Sequence, residues 1–311
     1  MMGIGVALVE IMIPFFKLFL PIIPGDVFPY FFGAELNGYP VLSLQRALIV
    51  SIVVAMVAGF LGTFLLVQNL ALIGDGLAHV AFGGVAIGIV LQATSPLWYA
   101  LIFSIAAALA IYELQSRGIL TGDASIAIFM TGMLGLGLVI LRIGEFGMTA
   151  DVESYLYGNL LLITDEELDI IVLLCFVSML MLGLLRSGLL AVTIDPITAS
   201  VQGIPVQWIS RLFALITACV VVSMVKVLGA ILVTALLVTP AATAQMMGNS
   251  FKSCMIWTQV FAMMSVLGGL YFSAEMDTGA GSMIAVVAAS IFIVVVIFQN
   301  IVKVAANPTD N

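Results

Sequence analysis

The sequence predicts an all-α membrane protein whose chain crosses the bilayer nine or ten times. Of its 311 residues, 63% are hydrophobic and only 8% are charged. In soluble domains about a quarter of all residues are charged. Apolar stretches of about 20 residues, the length that spans the hydrocarbon core, recur along the whole chain. The connections between them are short, so we expect one transmembrane domain, residues 1–311, with no separate soluble domain.

The predicted membrane segments follow one another from the amino end. The first, residues 4–23, contains Glu10, Pro14 and Lys17, so it either spans the bilayer or lies in its interface. The clear segments after it are residues 44–67, 77–92, 97–114, 125–141, 168–185, 208–245, 251–271 and 279–302. The long segment 208–245 is predicted to hold two helices with a break near Lys226, which gives ten helices in total, or nine without the first segment.

Basic residues predict which side of the membrane each connection faces. Because Lys and Arg collect in cytoplasmic loops, we place in the cytoplasm the ends that carry Arg117, Arg186, Arg211, Lys252 and Lys303. Two basic residues fall on the opposite side, Arg46 and Arg142. The two longest connections are then residues 142–167 outside and residues 186–207 inside.

The outer connections are acidic. Acidic loops either raise the local concentration of cations and pair with a basic partner, or merely keep the outer surface soluble. Both interpretations stay open. The acidic residues concerned are Asp26, Glu35, Glu145, Asp151, Glu153, Asp165, Glu166, Glu167, Glu275 and Asp277.

The stretch that begins at Gly74 carries the only histidine of the chain, His79. Asp75 lies four residues before it, so on a helix the two side chains share one face. A carboxylate and an imidazole at the mouth of a membrane helix can receive a divalent cation, or can simply pair with each other, Asp75 then capping the helix. Gly84 and Gly88 have the spacing that lets helix backbones approach closely.

A second stretch, residues 227–244, contains Pro240 among alanines and three threonines. A proline inside a membrane helix frees a backbone carbonyl, and Thr234, Thr239 and Thr243 can partly replace the lost bond. The alanines make a thin wall that suits either a pathway lining or close helix packing.

A third stretch, residues 195–205, is the size of a short helix. It begins with Asp195 and Pro196, typical of a helix start, and ends with Gly203 and Pro205. On the cytoplasmic side such a piece is either a docking element for a soluble partner or an ordinary interfacial connection.

Several classes of function are excluded by what the sequence lacks. It has neither a phosphate-binding loop nor a catalytic triad or H-E-x-x-H pattern, so we expect this chain not to be an enzyme. Its net charge of −8 argues against nucleic acid as a partner. Cys175, Cys219 and Cys254 lie in or beside apolar segments without paired spacing, so they are predicted to be small buried hydrophobic residues.

Together the three stretches resemble the permease subunits of metal-ion ABC importers, the ABC-3 family, which serve zinc, manganese or iron. The resemblance covers residues 44–302 and leaves 1–43 as a variable amino-terminal segment. The first stretch matches the family pattern G-D-x-x-S-H-A and the helix after it at Gly74, Asp75, His79 and Gly84. The third stretch matches D-P-x-x-A-x-x-x-G-[IVL]-P at Asp195, Pro196, Ala199, Gly203, Ile204 and Pro205. The second stretch matches a further family pattern from Gly229 to Ala244, and a looser match near the carboxyl end involves Asp277, Gly279 and Ala280. Departures at Ala78, Val80 and Gly83 alter the helix mouth around His79.

The resemblance implies a homodimer with the vitamin B12-type (type II) importer fold, a translocation pathway between the subunits, and residues 195–205 as the coupling helix. A cytoplasmic ATPase dimer would carry ATP and Mg²⁺, this chain would bind no cofactor, and an extracytoplasmic binding protein would deliver the ion. The pathway would be lined by helices that begin at Asp75 and Ser125 and by Thr234 to Thr243, in the plasma membrane of a prokaryote.

Asp75 and His79 are the metal candidates in this interpretation, with Glu145, Asp151 and Glu153 as weaker candidates for the outer entrance. The competing hypothesis is a secondary transporter or channel that acts alone and uses Asp75 and His79 as a proton-coupled site. A membrane-embedded enzyme is disfavoured by the shortage of polar residues. One histidine does not identify the metal.

Overall fold

The computed structural model describes residues 3–19, 35–36, 39–40, 42–145, 150–160, 163–276 and 278–306. Within these ranges the regular secondary structure is helical apart from two short strands, β1 (Glu35–Leu36) and β2 (Tyr39–Pro40), which pair antiparallel with Leu36 opposite Tyr39. Asp26 and Asp277, predicted in outer connections, lie outside the described residues. The prediction of an all-α protein is confirmed.

The helices follow the predicted order. They are α1 (Ile4–Phe19), α2 (Leu42–Val67), α3 (Ile73–Val90), α4 (Leu97–Ser116), α5 (Gly122–Ile143), α6 (Ala150–Tyr157), α7 (Asp165–Ile194), α8 (Pro196–Val201), α9 (Val206–Leu228), α10 (Val233–Leu237), α11 (Thr239–Met247), α12 (Phe251–Glu275) and α13 (Ala280–Ala306).

Eight of the described helices are long and apolar enough to cross a membrane: α2, α3, α4, α5, α7, α9, α12 and α13. The remaining apolar helices are shorter. The pair α10 and α11 covers Val233–Met247, and α1 has 16 residues, fewer than the roughly 20 that a full crossing requires. With these two segments the described part of the chain has ten apolar helical segments in the predicted order, of which eight are long enough to cross a membrane.

Three boundaries differ from the prediction. Helix α7 continues to Ile194, so Arg186 lies within a helix and not in a connection, because Leu, Gly and Val residues carry the apolar pattern through it. The predicted connection 142–167 contains a helix of its own, α6. The long segment breaks at Gly229, three residues after Lys226, where glycine adopts a φ of +86°.

The core lies around three mostly buried helices, α2, α3 and α9, whereas in α5, α7 and α13 most residues of the apolar segment are at least partly exposed. Helix α3 packs against α4 and α5, α9 packs against α4 and α7, and α12 packs between α2 and α13. Several buried hydroxyl groups are bonded within their own helices: the Thr217 hydroxyl donates to the Phe213 carbonyl at 2.8 Å, and Ser223 donates to the Cys219 carbonyl at 2.9 Å. The three cysteines are free and buried, as predicted.

Candidate functional site

Asp75 and His79 lie one turn apart on the same side of α3. Asp75 Oδ1 is 3.7 Å from His79 Nε2, close enough for attraction and too far for a hydrogen bond. Two ligand atoms that each lie about 2.1 Å from a tetrahedral cation are about 3.4 Å apart. The observed separation is therefore close to the one that a shared cation requires. The side chain of Asp75 is 32% exposed and that of His79 is 16% exposed, so the pair is partly buried but accessible to solvent.

The alternative in which Asp75 caps the helix is not what the structure shows. Helix α3 begins at Ile73, and the residue before it, Leu72, makes no side-chain cap bond. Asp75 instead lies in the first turn, where the positive end of the helix dipole favours a negative charge. Its carboxylate is thus held at this end of the helix without acting as a cap.

The pair supplies few metal ligands. No group of three or more His, Cys, Asp and Glu side chains that could hold a metal ion occurs in the part of the chain that the structure describes. One imidazole nitrogen and one carboxylate provide two of the four ligands that a structural zinc site needs. Such a pair is better suited to transient binding of a transported cation than to permanent binding of a structural one.

Buried polar atoms without a hydrogen-bond partner mark the same region. Across the described ranges these are His79 Nδ1, Ser95 Oγ, Ser125 Oγ and Thr234 Oγ1. Buried polar groups are normally satisfied, so each of these atoms needs an explanation. Three of the four lie on the segments that the family resemblance places nearest the pathway: the start of α3, the start of α5 and helix α10.

Glycines bring the helices around α3 into backbone contact. A Cβ atom added to Gly84 would lie 2.7 Å from the Tyr99 carbonyl oxygen, and one added to Gly88 would lie 2.9 Å from Pro96 Cα, both next to or in α4. Added to Gly83, it would lie 2.6 Å from the Met133 carbonyl oxygen of α5. The predicted close approach at Gly84 and Gly88 is confirmed.

The proline of the second stretch starts a helix and does not bend one. Pro240 is at the beginning of α11, where its missing N–H has no partner to lose. The break between α10 and α11 therefore precedes it, at Val238. Thr243 is buried and its hydroxyl donates to the Thr239 carbonyl at 2.7 Å, while Thr234 lies on α10.

Residues 195–205 form the predicted short helix, α8, with its expected start and stop. Asp195 Oδ1 accepts the N–H groups of Ile197 at 3.0 Å and Thr198 at 3.1 Å, and Asp195 Oδ2 accepts the Thr198 hydroxyl. Pro196 is the first helical residue and Gly203 ends the turn with a φ of +79°. Ala199 is buried, whereas Ile197 is 76% exposed, so α8 presents an apolar side chain outward.

The cap of α8 should persist to low pH. Hydrogen bonds from Thr198 hold the pKa of Asp195 below its ordinary value of 3.8. A lowered pKa stabilises the fold above the unfolded-state pKa, and this stabilisation is lost as pH falls through the folded-state value. We therefore expect amide hydrogen exchange in α8, corrected for its intrinsic pH dependence, to stay constant between pH 8 and pH 5. Asp195→Ala should speed exchange at every pH in that range, and Asp195→Asn, which keeps an acceptor, should not. Equal exchange in the Ala variant would contradict this account.

The start of α3 lies at the same end of the helix bundle as α8. The Gln68 side chain, just before α3, donates to the Thr193 hydroxyl near the end of α7 at 2.8 Å. A cavity of about 570 Å³ opens between these segments, and Pro196 of α8 is part of its wall. By the charge rule this end is cytoplasmic, so Asp75 and His79 lie toward the inner side.

The weaker candidates lie at the opposite end. Glu145 follows α5 and is exposed, Asp151 is the second residue of α6, and Glu153 is exposed on the same helix. Arg46, one of the two exceptions to the charge rule, pairs with Asp165 at 2.6 Å. The positive charge of Arg46 is thus neutralised by an acidic residue on the outer side.

The structure contains a charged cluster that the sequence did not reveal. Lys226 Nζ lies 2.9 Å from Glu167 Oε1, and both side chains are less than a tenth exposed. The Tyr155 hydroxyl donates to the same Glu167 oxygen at 2.9 Å. Glu167, predicted among the acidic residues of the outer connections, is buried. A capping pattern from Thr164 to Glu167 was its only local signal, because its partner lies 59 residues further along the chain.

The fold and the composition define a class: a multi-pass helical permease of the prokaryotic plasma membrane, with the architecture of vitamin B12-type (type II) ABC importers. The chain belongs to the ABC 3 transport family, whose model matches residues 41–299.

Three similar proteins illustrate the family. The chain is 32% identical over 269 residues to the manganese transport system membrane protein MntC of Halalkalibacterium halodurans, covering 86% of this chain and 91% of that protein. It is 31% identical over 250 residues to the high-affinity zinc uptake system membrane protein ZnuB of Haemophilus influenzae, covering 80% and 95%. The solved structure of PsaBC from Streptococcus pneumoniae in complex with Fab superposes with a TM-score of 0.72 at 30% identity, covering 81% of this chain and 90% of that one.

Proposed function

We propose that this chain is the membrane-spanning subunit of an ATP-driven importer of a divalent metal ion, manganese or zinc, with iron as a third candidate. ATP hydrolysis would take place in a separate cytoplasmic ATPase dimer, and an extracytoplasmic binding protein would supply the ion. The observation that carries the proposal is α8: a capped helix of six residues that presents Ile197 and Val201 to solvent on the basic side of the protein.

The form of α8 suits a coupling helix. Its two outward apolar side chains offer a docking surface to a soluble partner, while buried Ala199 and the Asp195 cap tie it to the end of α7. Exposed apolar side chains at a membrane–water boundary commonly mark an interaction site. Support for the substrate class comes from relatives described as manganese and zinc transport proteins.

The ion would meet Asp75 and His79 near the inner end of its route. These are the only carboxylate and imidazole that we propose as direct ligands, with the unpartnered hydroxyls of Ser125 and Thr234 on neighbouring segments. A weak two-ligand site near the exit holds the ion briefly and releases it, as transport requires. Two copies of the chain would enclose the pathway, and the apolar outer faces of α5 and α13 are available for the second copy or for lipid.

Substitutions in α8 test the proposal against the stand-alone transporter. Gly203→Ala forces a residue with a Cβ into a φ of +79°, which costs about 1–2 kcal/mol and misplaces the end of α8. We expect ATP-dependent metal uptake to fall by about tenfold or more, the loss that 1.4 kcal/mol of coupling energy produces. The matched control is Gly183→Ala in α7, where an added Cβ meets nothing within 4 Å. Equal uptake by the two variants would favour a transporter that needs no ATPase.

A further inference from the structure

Lys226, Glu167 and Tyr155 form a compact buried cluster, which we call the outer clasp. Glu167 Oε1 receives the Lys226 ammonium at 2.9 Å and the Tyr155 hydroxyl at 2.9 Å. Glu167 Oε2 receives the Thr164 N–H at 3.0 Å and its hydroxyl at 3.1 Å. The ammonium also lies 4.3 Å from the centre of the Tyr155 ring, a cation–π contact. Both oxygens of the carboxylate are therefore used, and the two charges neutralise each other out of water.

The clasp lies where the backbone of α9 is interrupted. The Ala230 N–H donates to the Tyr155 carbonyl at 2.9 Å and the Ile231 N–H donates to the Leu156 carbonyl at 3.3 Å. Gly158 and Gly229 both have positive φ, and a Cβ on Gly158 would lie 2.4 Å from the Leu228 carbonyl carbon. The carbonyls at the end of α6 thus bind the N–H groups that follow the break, and the charged cluster holds the two segments together.

The chain that leaves the break leads to the candidate metal site. Helix α10 follows directly and carries Thr234 and Leu237. A Cβ added to Gly74 would lie 2.8 Å from a Leu237 methyl group, and one added to Gly62 would lie 2.0 Å from the Leu237 carbonyl oxygen. Because this packing leaves α10 little freedom, its position is set by the outer clasp at one end and by α2 and α3 at the other.

The two ends of this connection lie on opposite sides of the protein. Glu167 is in the first turn of α7, and α8 follows the last turn of the same 30-residue helix. A helix of that length extends about 45 Å. The outer clasp therefore lies far from α8. The five-residue helix α10 lies between the clasp and the part of α3 that carries Gly74.

We propose that Lys226 and Glu167 are positioning residues for transport: their bond holds α6 on the break before α10, and so keeps the outer end of the pathway closed until the ion is delivered. This rests on the proposed function of the chain as an importer subunit. Neutralising one partner leaves the other as a lone buried charge, which destabilises the fold. Neutralising both removes the lone charge and leaves only the backbone hydrogen bonds and packing to hold the two segments together.

Three variants separate positioning from simple stabilisation. Glu167→Gln and Lys226→Met should each lower the thermal midpoint of the purified permease. The double variant Glu167→Gln/Lys226→Met should recover most of that midpoint, because no unpaired charge remains. Metal uptake in vesicles, with ATPase and binding protein present, should nevertheless stay lower by about tenfold in the double variant, while ATP hydrolysis by the complex continues. Glu166→Gln and Lys252→Met, at exposed positions, are the matched controls.

The outcomes distinguish the possible failures. If the double variant recovers both its midpoint and its uptake, the pair is only a structural element and the positioning role is overturned. If each single variant has the same thermal midpoint as the unchanged permease, the outer clasp does not hold α6 against the break that follows α9. If the unchanged permease and both control variants show no ATP-dependent uptake, the proposed function itself fails, while the thermal midpoints still report on the clasp.

Discussion

The His79→Ala permease is expected to assemble normally and to take up metal at least about tenfold more slowly than the unchanged protein, the effect of losing 1.4 kcal/mol of ligand interaction. The imidazole lies 3.7 Å from Asp75, and its Nδ1 atom is buried without a partner within the described residues. Its removal therefore breaks no hydrogen bond that the structure shows. Initial rates of ATP-dependent uptake in vesicles provide the measurement.

Asp75→Asn should give a loss similar to that of His79→Ala, because it removes the charge but keeps the size of the side chain. The matched control is Asp123→Asn, since Asp123 occupies the first turn of the neighbouring helix α5 and is exposed. We expect the control to transport normally. If His79→Ala instead fails to fold or to assemble, the histidine is a structural residue, and the metal-contact hypothesis is contradicted.

Gly229→Ala should destabilise the permease by about 3 kcal/mol or more, from about 1–3 for a backbone conformation that only glycine adopts readily and about 1–3 for overpacking. Gly229 has a φ of +86°, and an added Cβ would lie 2.3 Å from the Tyr157 carbonyl carbon and 2.4 Å from the Gly158 nitrogen. These are backbone atoms, so they cannot turn aside as a flexible side chain would. The thermal midpoint of the purified protein measures the effect.

Gly132→Ala is the matched control for Gly229→Ala. Gly132 lies within α5, and a Cβ added there meets nothing within 4 Å. Alanine is the better helix former by about 1 kcal/mol, so this variant should be as stable as the unchanged protein or more so. If both variants melt at the same temperature, the contact between α6 and the break is not rigid.

The membrane segments could be predicted because each is a local property of the sequence. An apolar run of about 20 residues specifies a crossing regardless of its neighbours. The start and end of α8 are equally local, since Asp195, Pro196 and Gly203 each act within a few residues. The same is true of the Asp75 and His79 pair, whose proximity depends only on helical spacing.

The outer clasp could not be predicted for the opposite reason. Lys226 indicated a break, yet the break falls at Gly229, because only there can the backbone take a positive φ and donate to the carbonyls of α6. Glu167 looked like one more acid in an acidic connection. Its burial depends on a partner in another helix, and the spacing of a single sequence carries no information about that partner.

The identity of the transported metal could not be predicted from the sequence, and this too has a physical reason. Imidazole and carboxylate are ligand types that manganese, iron and zinc all use, so these residue types do not identify the metal, although the Irving–Williams order favours zinc over manganese at a given site. The relatives described above divide between manganese and zinc. We therefore expect the binding protein, and not this chain, to set most of the selectivity.

The most direct test of the account is metal uptake by the reconstituted system. The tagged chain would be purified together with its partner ATPase and placed in vesicles, and uptake of manganese, zinc and iron would be measured with and without ATP and the binding protein. The account predicts uptake only when all three components and ATP are present. Uptake by the permease alone, or without ATP, would contradict it and identify the chain as a secondary transporter or channel.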